Sequence, residues 1–216
     1  MPDATDFCAM NSATLRTAGQ PLGTATKALI LLHGRGGSAA DILSLATHLH
    51  VAGFALLAPQ APGNSWYPQS FMAPPAHNEP YLSAALASVA HAVATTQQHG
   101  IALENLYFGG FSQGACLTLE YVARYATRYG GVVAFTGGLI GDQLYPKKYS
   151  GDFAGTPVFI GTSDPDFHVP VERVRASTAL LKGLGATVTE QVYPNMGHTI
   201  TQEEIDLANS LIFNNP

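Results

Sequence analysis

Short apolar runs alternate with longer amphipathic stretches along the chain. Lys27–Leu32 (KALILL) is apolar after its first residue and ends at His33-Gly34. Phe54–Ala58 (FALLA) is closed by Pro59, Leu106–Gly109 (LYFG) runs into Gly110, and Gly131–Phe135 (GVVAF) is a fourth run. Pro157–Ile160 (PVFI) leads into Gly161, and Thr187–Tyr193 (TVTEQVY) is the sixth. Runs this short, apolar and β-branched fit strands covered on both faces, as in a parallel sheet. The stretches between them predict helices. Ser38–His50 opens with Ser38 and Asp41 at capping-box spacing, and Thr201–Phe213 opens with Thr201 and Glu204 in the same way. Glu79–His99 is Ala-rich and stops at Gly100, Gln113–Arg128 ends before Gly130, and Val171–Leu184 ends at Gly185. This alternation predicts an α/β three-layer sandwich with a mostly parallel central sheet and right-handed crossovers.

Length and charge narrow the picture. The chain has 216 residues, without an internal repeat or low-complexity linker, so residues 1–216 are expected to form a single domain. The net charge is −5, and Lys147-Lys148 is the only basic cluster. Nucleic acid is therefore an unsuitable partner, because phosphate binding needs a basic face. Cys8 and Cys116 allow one disulfide, but a chain this long needs no staple, and Cys116 reads as a small buried residue in a helix. The first residues, Met1-Pro2-Asp3-Ala4, lack a basic region and apolar run, and no 18-residue apolar stretch follows. The expectation is a cytoplasmic protein with no membrane span.

One motif carries chemistry. Gly110-Phe111-Ser112-Gln113-Gly114 has G-x-S-x-G spacing between a predicted strand and a predicted helix. A sharp strand-to-helix turn lifts a serine hydroxyl clear of the sheet, and the flanking glycines let neighbouring backbone approach. The helix N-terminus behind the serine favours developing negative charge. Outside that context the same five residues would be an ordinary Gly-rich turn. A serine hydroxyl needs an adjacent base to act as a nucleophile. His198 lies in a predicted turn between the last strand and the last helix, which fits the chain order Ser, acid, His. His48, His50, His91 and His99 fall in or beside helical segments, His77 precedes the serine, and His33 ends the first strand. His168 is too close in sequence to the acid candidates to be their easy partner. Those candidates are Asp164 and Asp166, both in the turn after the fifth run, whereas Asp142 and Asp152 follow no clear strand. Either could orient the imidazole, and the other is then a turn residue. Two backbone N–H donors are needed for the oxyanion. One is expected from Gln113, the other from Arg35 or Gly36 in the loop His33–Gly37, with Arg35 preferred.

Ala61–Pro80 breaks the rhythm with five prolines beside Trp66, Tyr67, Phe71 and Met72. Long loops in compact domains usually serve function. The segment either packs its aromatics back on the core or walls an apolar acyl pocket, in which Trp66, Tyr67, Phe71 and His33 would be the lining.

Together these pieces resemble the phospholipase/carboxylesterase family of α/β-hydrolases, which includes acyl-protein thioesterases. The matching segments are LLHGRGG (31–37), GNSWYP (63–68), GGFSQGA (109–115), DFHVP (166–170) and GHT (197–199), in the family's order. HGRGG is closer to the bacterial carboxylesterase branch. The resemblance implies that Ser112 and His198 are catalytic and that the residue after His-Gly, Arg35, is an oxyanion donor. It implies Asp166 as the acid, four residues before Pro170. The proline that usually follows the family's acid stands after Asp164 instead, so Asp164 stays the alternative.

The expected reaction is transfer of a short or medium acyl group from an ester to water through an acyl-serine, with no metal and no organic cofactor. The twenty or so residues between Phe135 and Pro157 are too few for a helical lid, so an open site is expected. Thioester, lysophospholipid or lactone hydrolysis would use the same triad. A non-catalytic binding protein on this fold is a rival, but no triad member is missing. A metallohydrolase using His33, His168 and His198 is another, without an H-E-x-x-H motif. The low charge and apolar loop would permit a homodimer.

Overall fold

A computed structural model describes residues 14–213; Cys8, and with it any pairing to Cys116, lies outside them. Within this span one seven-stranded sheet forms from β1 (Thr14–Gly19), β2 (Lys27–Leu32), β3 (Phe54–Gln60), β4 (Leu106–Phe111), β5 (Gly131–Phe135), β6 (Pro157–Asp164) and β7 (Thr187–Pro194). The order is β1-β3-β2-β4-β5-β6-β7. β2 to β7 are the six predicted runs, all parallel. β1 was not predicted. It lies antiparallel on β3, from Thr14 opposite Gln60 to Gly19 opposite Ala55, at the sheet's edge.

The central strands bury both faces. In β2, Ala28, Ile30 and Leu32 enter one core cluster while Leu29 and Leu31 enter the other. The first cluster is covered by α2 (Tyr81–Gln98), α3 (Gln113–Arg124) and α4 (Val171–Gly183). The second is covered by α1 (Ala39–Leu45) and α5 (Gln202–Ala208). This is the α/β-hydrolase arrangement, a mostly parallel sheet between two helical layers. Both predicted capping boxes form, Ser38 with Asp41 and Thr201 with Glu204.

Some boundaries differ from expectation for tertiary reasons. α3 stops at Arg124 rather than Arg128 because the next residues take partners elsewhere: Ala126 bridges Gly151, and the Tyr129 N–H donates to Thr156 Oγ1 at 2.9 Å. After α1 the chain tightens to a 3-10 turn at Ala46–His48, and after α5 it widens to a π turn at Asn209–Phe213. β6 runs four residues beyond its apolar part because β7 pairs with it as far as Asp164 opposite Pro194. Between β5 and β6 the only helical piece is one 3-10 turn, Pro146–Lys148, so among the described residues no helical lid is inserted between these strands. Among the described residues no helix is long and apolar enough to cross a membrane.

Candidate active site

Ser112 occupies the turn between β4 and α3 with φ 53° and ψ −117°, a conformation that L residues seldom adopt. The turn is this tight because its glycines allow it. A Cβ on Gly110 would stand 2.5 Å from the Gly114 carbonyl oxygen, and one on Gly114 would collide with the Leu32 carbonyl oxygen. The Ser112 N–H donates to Phe135 O at 3.0 Å, which fixes the turn to β5.

His198 comes from the loop after β7, where Asn195 and Gly197 both have positive φ. Gly197 N–H donates to Ser163 Oγ at 2.9 Å, and Asn195 N–H to Asp164 O at 3.0 Å, so the end of β6 anchors the loop. His198 Nε2 lies 2.8 Å from Ser112 Oγ, and Nδ1 lies 2.8 Å from Asp166 Oδ2. Asp166 Oδ1 accepts the N–H groups of His168 (2.7 Å) and Val169 (2.9 Å). Burial pushes the Asp166 carboxyl up, but the hydrogen bonds from His198 and these two amides outweigh it and hold the group below its ordinary value. An ionised Asp166 accepts from Nδ1–H, which leaves Nε2 free to accept the Ser112 hydroxyl proton. Asp164, the alternative, is exposed at the end of β6 and makes no bond to His198.

Ser112 and His198 open onto a cavity of about 430 Å³. Arg35, Gln113 and Cys116 line it, with Tyr67 to Phe71 as one wall and His168-Val169 as another. Of the four residues expected along an acyl pocket, Tyr67 and Phe71 line this cavity. Trp66 and His33 do not. Trp66 lines a neighbouring cavity of about 250 Å³ with Pro62 and Tyr81, and its Nε1–H donates to His33 O at 2.8 Å. His33 is 1% exposed, and its Nε2 accepts the Ala61 N–H at 3.1 Å, so it braces the loop rather than touching the cavity. Burial lowers its pKa, in keeping with an uncharged ring.

Three contributions were not foreseen. His168 lines the cavity with its ring edge-on to His198, centroids 4.8 Å apart. Its place two residues after Asp166 was the available signal. Cys116 also reaches the cavity, but burial pushes its thiol up to about 12, so it is no thiolate nucleophile at neutral pH. The side chains of Arg35 and Gln113 both grip the wall segment: Arg35 Nη2 donates to Tyr67 O at 2.9 Å and Gln113 Nε2 to the same oxygen at 2.8 Å. Among the described residues no three His, Cys, Asp or Glu side chains converge as a metal-ion site.

Comparison with known proteins agrees with this architecture. The family described as Phospholipase/Carboxylesterase matches residues 18–214. A crystal structure of a phospholipase/carboxylesterase from Dyadobacter fermentans is 53% identical, covers 94% of this chain and 98% of that one, and superposes with a TM-score of 0.93. Arabidopsis thaliana SOBER1 shares the fold at 24% identity, with a TM-score of 0.72 over 87% of this chain and 97% of that one. Acyl-protein thioesterase 1 of Gibberella zeae is 35% identical over 109 residues, 50% of this chain and 46% of that protein. The chain thus aligns with about half the length of that relative. Family match, fold and motif order agree: the chain belongs to the phospholipase/carboxylesterase family of α/β-hydrolases.

Proposed function

We propose that this protein is a serine carboxylesterase, a single α/β-hydrolase domain that cleaves short-to-medium acyl esters through an acyl-serine. The observation that carries the reading is the unbroken hydrogen-bonded chain Ser112–His198–Asp166 at the mouth of the cavity. In this reading His198 takes the Ser112 proton as Oγ attacks the ester carbonyl, and Asp166 stabilises the imidazolium that forms. The backbone N–H groups of Arg35 and Gln113 receive the oxyanion, Gln113 from the first turn of α3. His198 then protonates the leaving alcohol, and water repeats the sequence on the acyl-serine. No cofactor enters any step. A cytoplasmic location is part of the same proposal.

The cavity supports a small substrate. Its volume of about 430 Å³ sits at the low end for ligand sites, and Gln69, Ser70 and His168 make much of its wall polar. Rates on p-nitrophenyl esters from acetate to palmitate test this. The reading expects a maximum at short or medium chains. A maximum at palmitate, or a strong preference for emulsified long-chain triglyceride, contradicts it. Relatives named acyl-protein thioesterase support a second reading, thioester hydrolysis on the same serine. A matched ester and thioester of one acyl chain separate the two.

A further inference from the structure

The two residues proposed to supply the oxyanion donors are far apart in sequence, yet their side chains close on one short segment, Ser65–Gln69. Arg35 has all four of its terminal N–H positions engaged there. Nη1 donates to Ser65 Oγ (3.1 Å) and Pro68 O (3.0 Å), and Nη2 to Tyr67 O (2.9 Å) and Gln69 O (2.7 Å). Among the described residues this guanidinium has no carboxylate partner. Gln113 uses both ends of its amide: Oε1 accepts the Trp66 N–H at 3.0 Å and Nε2 donates to Tyr67 O at 2.8 Å. Ser65 Oγ donates to the same Tyr67 carbonyl at 3.0 Å. One carbonyl oxygen is therefore the joint between the loop after β2 and the start of α3. Two further bonds tie the segment and the residue before it to the loop after β2, Trp66 Nε1–H to His33 O (2.8 Å) and Gly36 N–H to Asn64 O (2.7 Å).

Two amides that must converge on one oxygen need a fixed spacing, and a misplacement of about 1 Å can cost two orders of magnitude in rate. Gln113 N–H is held by its helix. Arg35 N–H belongs to a Gly-rich loop, with Gly36 at φ 80°, whose backbone has little intrinsic stiffness. We propose that Ser65–Gln69 is a positioning template for the oxyanion hole: the side chains of Arg35 and Gln113 register their own backbone amides against each other through the Tyr67 carbonyl. This rests on the serine-hydrolase reading and adds a role for side chains that do not themselves touch the reacting atoms. Arginine suits the task because its planar fork meets several carbonyls at once, which a lysine ammonium does not reproduce.

The test uses the full chain. Arg35→Met and Gln113→Met keep both backbone amides and remove the grip. Each is expected to lower kcat on a soluble p-nitrophenyl ester by about 10–100-fold with KM within about twofold, the split that marks loss of an interaction made only in the transition state. A trifluoromethyl ketone, which adds to Ser112 Oγ as a tetrahedral oxyanion, should weaken by a similar factor while the carboxylate product binds as before. The double variant should fall little below the poorer single, since both grips act through one segment. Arg35→Lys should recover only part of the loss. Unchanged kcat and ketone affinity in both methionine variants overturn the proposal. So does equal weakening of ketone and product, the signature of a merely damaged pocket. If Arg35→Met fails to fold, Gln113→Met carries the same comparison. Wild-type activity in Ser112→Ala would instead refute the serine mechanism itself, whatever the grip variants do.

Discussion

Ser112 holds its strained backbone at an expense of order 1–3 kcal/mol, and the surroundings keep it there. A Cβ on either flanking glycine would strike backbone, so substitution there cannot relax without moving β2 or α3. At Asp166 the division of labour between two oxygens matters most. Oδ1 is held by two amides of its own loop, which aims Oδ2 at His198. Asp166→Asn keeps an oxygen for the amides but turns an NH2 toward Nδ1, which forces the wrong imidazole tautomer. Activity near neutral pH should fall by about 10⁴-fold. Asp164→Asn should stay within a few-fold of wild type, because that side chain is exposed and makes no bond to His198. Steady-state rates on one soluble ester decide between them, and the reverse ranking would move the acid to Asp164.

At the scale of the element, the capping box of α5 does more than start a helix. Glu204 Oε2 accepts the Thr201 N–H at 3.2 Å, while Oε1 is buried without a partner against Gly161 of β6. Burial pushes this carboxyl up to about 7 from an ordinary 4.5. A raised pKa means that the folded state binds the proton more tightly than the unfolded chain. The associated stability is fully present below the ordinary value and is lost as pH rises through about 7. The size is on the order of 3 kcal/mol. Glu204→Gln retains an oxygen for Thr201 and removes the ionisation. Thermal melts across this range should show wild type losing stability relative to the variant as pH rises through about 7, until the variant is the more stable. Parallel curves would mean that Glu204 ionises as freely folded as unfolded.

At the scale of the whole molecule, burial explains what could be read from the chain. β2 to β6 announced themselves because parallel strands covered on both faces are apolar at nearly every position, as KALILL is; β7 (TVTEQVYP), at the other edge and half-buried, showed through its β-branched residues. β1 (TLRTAG) gave no such signal, since an edge strand that is largely exposed needs no apolar run. The order of Ser112 and His198 followed from motif context. The preference for Asp166 over Asp164 came only from the family resemblance, because both lie in one turn; in the structure Asp164 pairs at the end of the β6–β7 ladder, while Asp166 Oδ2 lies 2.8 Å from His198 Nδ1. Trp66 and His33 stand away from the cavity for different reasons. An aromatic in a Pro-rich loop signals burial, but not which of two adjacent cavities it faces, and His33 is buried beneath the loop, where its Nε2 accepts the Ala61 N–H. The side-chain grip of Arg35 on residues 65–69 spans thirty or more positions, and no local pattern encodes it. Every step of the proposed reaction depends on Ser112 as nucleophile. The most direct measurement is p-nitrophenyl ester hydrolysis by wild type and Ser112→Ala under identical conditions. The wild type is expected to turn over measurably, and the variant to lose at least about 10⁴-fold. Equal rates in the two proteins would contradict it.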